Sequence, residues 1–84
     1  DSLGQVTLLT DLDLRNNSLE NIPDSIGKLK QLRFLDLRAN QLTSLPASLT
    51  KLQNLEKLDL RWNKSLSLPK WIVKLEERGC IIYT

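Results

Sequence analysis

The 84-residue chain has no histidine and no methionine. Without histidine, general acid–base catalysis and a Ser–His–Asp arrangement lose their usual proton carrier. The single cysteine, Cys80, excludes an internal disulfide framework, and with no histidine to join it no zinc cluster is expected. It lies in an apolar stretch, which favours a buried, inert thiol over a nucleophile. The three glycines, Gly4, Gly27 and Gly79, stand far apart, so no phosphate-cradling loop is present. No apolar run approaches the roughly 18 residues that span a membrane, and no segment has the plan of a signal peptide. Charge of one sign is also lacking: 12 basic and 10 acidic side chains leave a net charge of +2. That balance does not announce a polyanion partner. No enzymatic activity, cofactor, metal or membrane role is expected, and the lone thiol points to a reducing, cytoplasmic location.

What is abundant is leucine, at twenty positions. A shift of 23 lays the chain on itself. Leu9-Thr10-Asp11-Leu12-Asp13-Leu14-Arg15-Asn16-Asn17 returns as Leu32-Arg33-Phe34-Leu35-Asp36-Leu37-Arg38-Ala39-Asn40. It returns again as Leu55-Glu56-Lys57-Leu58-Asp59-Leu60-Arg61-Trp62-Asn63. The second half of the unit repeats as Leu19-Glu20-Asn21-Ile22-Pro23 and Leu42-Thr43-Ser44-Leu45-Pro46. The third copy, Ser65-Leu66-Ser67-Leu68-Pro69, has serine where leucine is due, and Leu66 can swing in to replace it. The opening residues match those 23 positions later, so the chain begins in mid-repeat, as a piece of a longer array or a chain built to be minimal would. The expected organisation is a single domain over residues 1–84. It comprises a truncated repeat (1–8), three repeats (9–31, 32–54 and 55–69) and a C-terminal cap (70–84).

These residues resemble the leucine-rich repeat family in its 23-residue L-x-x-L-x-L-x-x-N-x-L-x-x-L-P form. The last fourteen residues resemble the closing segment of bacterial intracellular arrays of this type. The resemblance implies an α/β solenoid coiled in the right-handed sense. Its short parallel sheet would line the concave side, with turns or short helices on the convex side and a helix–strand cap at the C-terminus.

The spacing gives its own reasons for that shape. Leu12 and Leu14 are two apart and point the same way from a strand, into the core. Strands recurring every 23 residues must be parallel, because each crossover returns the chain to the same end. Ile22, Ile26 and Leu29 face that core from the return limb, and Pro23 suits a turn or the first position of a short helix. Each coil buries its leucines only against its neighbours. Asn17, Asn40 and Asn63 stack as a column whose amides lock the turns. A helix over roughly Lys70 to Arg78 turns Trp71, Ile72 and Leu75 inward, Gly79 ends it, and Cys80–Tyr83 forms a last strand beside Leu58–Leu60. Cys80 and Ile82 point in, Ile81 and Tyr83 out. Val6, Leu8, Leu9, Leu12 and Leu14 lie at or near an open N-terminal edge, where self-association is possible.

Between the inward leucines, three columns face solvent: Asp11, Phe34, Lys57; then Asp13, Asp36, Asp59; then Arg15, Arg38, Arg61. Thr10, Arg33, Glu56 and Asn16, Ala39, Trp62 flank them. Adjacent Asp side chains about 4.8 Å apart repel, and the Arg column one step along the pleat supplies the opposite charge. The charges on this face sum to zero, and the surplus lysines lie on the connecting limbs, so a dedicated nucleic-acid role is not expected. What stands out is Phe34 and Trp62 with arginines near them, the side chains enriched where proteins bind proteins. The protein-binding candidates are therefore Phe34, Trp62, Arg38, Arg61, Lys57 and Arg33, and the partner is another protein. For Trp62 the competing reading is a ring folded over the sheet edge, shielding Arg61. The alternative for the whole chain is a structural or designed minimal scaffold with no ligand; the variety of the surface residues argues for an interface.

Overall fold

The computed structural model describes residues 9–84. The truncated repeat expected over residues 1–8, with Val6 and Leu8 at its edge, lies outside the described residues. Three short strands recur at the sequence interval, β1 (Asp11–Asp13), β2 (Phe34–Asp36) and β3 (Lys57–Asp59), and a fourth, β4 (Ile81–Tyr83), follows one residue later than that interval. They form one parallel sheet in chain order. Leu12, Leu35, Leu58 and Ile82 stand opposite one another, so the inward positions form a continuous row.

The return limbs of the first two coils each contain a 3-10 helix, Asp24–Lys28 and Ala47–Lys51. Each begins behind a proline already held at helical φ: Pro23 at −68° and Pro46 at −73°. The proline carbonyls accept the N–H groups of Ile26 and Leu49, at 3.1 and 3.2 Å. Proline thus stands one position before the helix rather than in it. The two helices pack so closely that a Cβ on Gly27 would lie 2.8 Å from the Ser48 carbonyl oxygen. The absent side chain at Gly27 is what lets these coils stack.

The core lies between sheet and return limbs. Ile26, Leu29, Leu32, Leu37, Leu42, Leu49 and Leu58 are fully buried, while Leu9, Leu12, Leu14 and Leu19 in the first coil are only partly so. In the third coil Leu66 packs against the core as the substitute for Ser65, which stays exposed. This coil is one residue longer than the others, placing Ile81 rather than Cys80 opposite Lys57. Its Leu68 is 47% exposed, unlike its counterparts Ile22 and Leu45. The leucine before the third proline is therefore not a core residue.

A short helix, α1 (Ile72–Glu77), precedes β4 and buries Leu75, with Trp71 and Ile72 half-covered. It is shorter than its sequence pattern suggests, because Lys70–Trp71 and Arg78–Gly79 form turns. At its end the Cys80 N–H donates to the Leu75 carbonyl and the Gly79 N–H to that of Glu76, both at 3.0 Å. That paired pattern requires a left-handed residue between them, and Gly79 supplies it at φ +93°. The chain then alternates as expected: Cys80 and Ile82 turn inward, Ile81 and Tyr83 outward.

Candidate functional site

The solvent face of the sheet is built by the residues between the inward leucines. Each Asp of the middle column closes its strand in the same way. One carboxylate oxygen of Asp13, Asp36 and Asp59 accepts the backbone N–H of the Arg two residues on, at 3.1, 3.2 and 3.2 Å. The guanidinium of that Arg returns to the same carboxylate, at 2.9 Å (Arg15), 2.7 Å (Arg38) and 2.7 Å (Arg61). Arg15 and Arg38 also reach the Asp of the following strand, at 3.6 and 3.4 Å. The two columns therefore form a diagonal relay of ion pairs that offsets the Asp–Asp repulsion. The Arg15 guanidinium holds the Asp13 carboxyl below its usual range. Burial raises that of Asp59, but hydrogen bonds from Arg61 outweigh it and the net direction is down. A separate pair, Arg33–Glu56 at 2.6 Å, bridges the flank, and the Arg33 hydrogen bond lowers Glu56.

The Asn column does not behave uniformly. Asn40, 6% exposed, accepts the N–H groups of Asn17 and Leu19, both at 3.0 Å, and donates to the carbonyls of Leu14, Leu37 and Arg38. Asn63 is buried too; it accepts the Leu42 N–H and donates to the Leu37 and Leu60 carbonyls. Asn17 is exposed, and among the described residues its amide reaches only the Arg15 carbonyl, at 3.1 Å. The expected column thus has two buried members, Asn40 and Asn63, and one exposed one, Asn17. Each Asn ties its own coil to the preceding one, and Asn17 has no described coil before it.

Of the six protein-binding candidates, three are already held in ion pairs. Arg38 and Arg61 hold Asp36 and Asp59, and Arg33 holds Glu56. Phe34 is half-buried between two cations, with the Arg33 guanidinium 5.2 Å and the Lys57 ammonium 5.6 Å from its ring centre. Trp62 is 66% exposed, its ring centre 5.9 Å from the Arg38 guanidinium and 5.8 Å from that of Arg61. The face thus holds two aromatic–cation clusters, around Phe34 and around Trp62.

Two features of this face escaped the sequence reading. Asn16, Ala39 and Trp62 share left-handed backbone, at φ 59°, 56° and 65°. Asparagine tolerates that conformation; alanine and tryptophan hold it at a cost. Its sequence signal was the Asn in the first copy, directly before the Asn ladder. The second feature is Tyr83. By register it continues the Asp column, and its ring lies 5.4 Å from the Arg61 guanidinium. The ion-pair relay therefore ends on an aromatic face instead of a fourth carboxylate.

Elsewhere, Lys28, Lys30 and Lys51 line an open groove beside the two 3-10 helices, together with Asp24 and Ser48, on the connecting limbs. Cys80 is buried; burial, then the Glu76 charge, pushes its thiol up to about 11, which keeps it protonated and unreactive near neutral pH. Among the described residues there is no cluster of three His, Cys, Asp or Glu side chains able to hold a metal, and no helix long and apolar enough to cross a membrane.

Comparison with known proteins agrees with this geometry. A family model described as a leucine-rich repeat region matches residues 1–82. A solved leucine-rich repeat protein of Leptospira interrogans is 36% identical, with a TM-score of 0.80. The alignment covers 98% of this chain but 21% of that protein, so the chain spans about a fifth of its relative's length. A search of curated proteins finds no match. Leucine-rich repeat proteins are typically non-enzymatic. With a family model spanning nearly every residue and a sheet repeating in register with the sequence, this chain belongs to the leucine-rich repeat family, whose members generally serve as protein-interaction modules.

Proposed function

We propose that this chain binds a partner protein through the solvent face of its sheet, the concave side of the solenoid. The anchors are Phe34 and Trp62, flanked by Arg33, Lys57, Arg38 and Arg61. The observation that carries the proposal is Trp62. It is the largest side chain of the face, mostly exposed, and held at a left-handed backbone position where Asn or Gly would sit more easily. Exposing an aromatic at a strained position brings the fold no gain in burial, whereas a partner covering it would gain a large apolar area. Because the ion-pair relay neutralises its own charges, recognition rests on shape and on these aromatics. Binding should therefore depend only mildly on salt, unlike a phosphate-led complex.

Within the same reading, the crossovers are right-handed, α1 and β4 act as the lid on one end of the core, and the work is done in the reducing cytoplasm. The other end offers β1 and its partly exposed leucines to a second chain, giving weak self-association that sedimentation over a concentration series would detect.

One observation favours the structural alternative for Trp62: its contact with two guanidinium groups would shield the Arg38 and Arg61 ion pairs even without a ligand. The test is to select binders from a displayed peptide library against the folded chain, then titrate them against wild type, Phe34→Ala and Trp62→Ala. Loss of affinity by tenfold or more, with melting curves unchanged, supports the interface. Unaltered affinity in both variants moves the site off this face, and a collapsed fold in Trp62→Ala assigns that residue to structure.

A further inference from the structure

On the solvent face, every charged side chain of the described residues belongs to an ion pair except two, Asp11 and Lys57. The two unpaired charges stand in one column. By register that column reads Asp11, Phe34, Lys57, Ile81: acid, aromatic, base, aliphatic. Ile81 is 49% exposed, so the column ends on an uncovered apolar side chain. The neighbouring Asp and Arg columns are internally neutralised and call for no partner charge. The net complementarity of the face is concentrated in this single row.

Strand spacing sets the row's pitch. Its four positions fall at about 0, 4.8, 9.6 and 14.4 Å across the sheet. An extended segment laid along it presents same-side residues about every 6.8 Å and misses the two middle positions. An α-helix rises about 1.5 Å per residue, so positions i, i+3, i+7 and i+10 fall at about 0, 4.5, 10.5 and 15 Å along one face. The three-residue strands make a strip about 10 Å wide, close to the diameter of a helix. We infer that the partner element is an amphipathic helix crossing the four strands. It places a basic residue over Asp11, an apolar residue on Phe34, an acidic residue over Lys57 and an apolar residue on Ile81. This inference rests on the sheet face being the binding surface and adds the class of ligand and its charge order.

The probe is an alanine-based helical peptide carrying Lys, Leu, Glu and Leu at i, i+3, i+7 and i+10, titrated into the full chain by NMR. Amide shifts should centre on Phe34, Lys57 and Ile81. Changing the probe's Glu to Lys should weaken binding about fivefold to tenfold, since an attraction becomes a repulsion, and Lys57→Glu should restore it. A proline-interrupted version with the same four side chains should lose most of its affinity. Equal affinity for the Glu and Lys probes, or no rescue by Lys57→Glu, overturns the charge order, and undiminished affinity of the proline-interrupted probe overturns the helix assignment. Equal affinity with shifts still on the sheet leaves the sheet-face reading standing. Shifts confined to the 3-10 helices overturn both. No binding by any probe overturns the helix assignment alone, because library-selected binders test the face independently.

Discussion

The first and second coils are written in nearly the same letters yet differ in what they hold. Leu35 and Leu37 of the second are buried, while Leu12 and Leu14 of the first are partly exposed. Asn40 has five protein partners and Asn17 has one through its side chain. The carboxylates follow the same gradient: the Asp13 side chain is 56% exposed and that of Asp59, two strands inward, 14%. In a solenoid a residue's burial is thus a property of its neighbouring coils as much as of its own repeat. The largest expected effect follows directly. Deleting Trp71–Thr84 would strip β3 of β4 and α1 and leave Leu58 and Leu60 in the position now held by Leu12 and Leu14. An array this short that loses this cover should lose cooperative unfolding or aggregate. A monomeric truncated chain with an unchanged melting temperature would show that α1 and β4 are not a lid on the core.

Single truncations sharpen the same contrast. Leu37→Ala should cost about 3–4 kcal/mol in urea melts, within the range for fully buried leucines. Leu14→Ala, one coil outward, should cost about half that or less, because part of its surface already meets solvent. Equal costs would mean that the first coil is covered as well as the second. Next comes the ladder. Asn40→Ala strands the Asn17 and Leu19 N–H groups and the Leu14 carbonyl, for about 2–3 kcal/mol, against less than about 1 for Asn17→Ala. Similar values would separate the ladder's hydrogen bonds from stability.

Acid titration asks whether the relay supports the fold. Asp13, Glu56 and Asp59 are held below their usual values of 3.8, 4.5 and 3.8. A carboxylate with a lowered folded-state pKa stabilises the protein above its unfolded-state value, and that stability is lost as pH falls through the lower one. The melting temperature should therefore be flat from neutral pH to about 5 and fall below about 4. Asp59→Asn should start lower at neutral pH and flatten the acid limb. An unchanged acid limb in that variant would assign the acid sensitivity to the other carboxylates.

Much of this was legible in the chain, for a physical reason. A 23-residue period fixes which residues share a row, and alternation within a strand fixes which face solvent, so the parallel sheet and the three outward columns follow from spacing alone, whereas a strict 23-residue step into the last strand would have turned Cys80 and Ile82 outward. Ion pairing between the Asp and Arg columns follows from their being one step apart. Features set by the stacking of one coil on another were not legible. Asn17 matches Asn40 in the alignment and differs only in having no described coil before it. The extra residue in the third coil, invisible at the repeated Leu-Pro, sets Tyr83 in line with the Asp column. Left-handed backbone at Ala39 and Trp62 was hidden because neither residue advertises it.

That last feature gives the smallest effect and the closest comparison between coils. Asn16, Ala39 and Trp62 occupy one backbone position with the same sign of φ. For a residue with a Cβ, left-handed backbone costs about 1–2 kcal/mol, and asparagine recovers part of it through local hydrogen bonds. Trp62→Asn relieves that strain but gives up the ring's contacts with the Arg38 and Arg61 guanidinium groups, worth about 0.5–1 kcal/mol each at an exposed site. The two terms nearly cancel, so the variant should melt within about 1 kcal/mol of wild type. Ala39→Asn, with no ring to lose, should be the more stabilised of the two. A loss well beyond 1 kcal/mol in Trp62→Asn would mean that the ring braces the ion-pair relay. A neutral or stabilised Trp62→Asn that no longer holds selected binders would place the residue's value in what it contacts outside the chain.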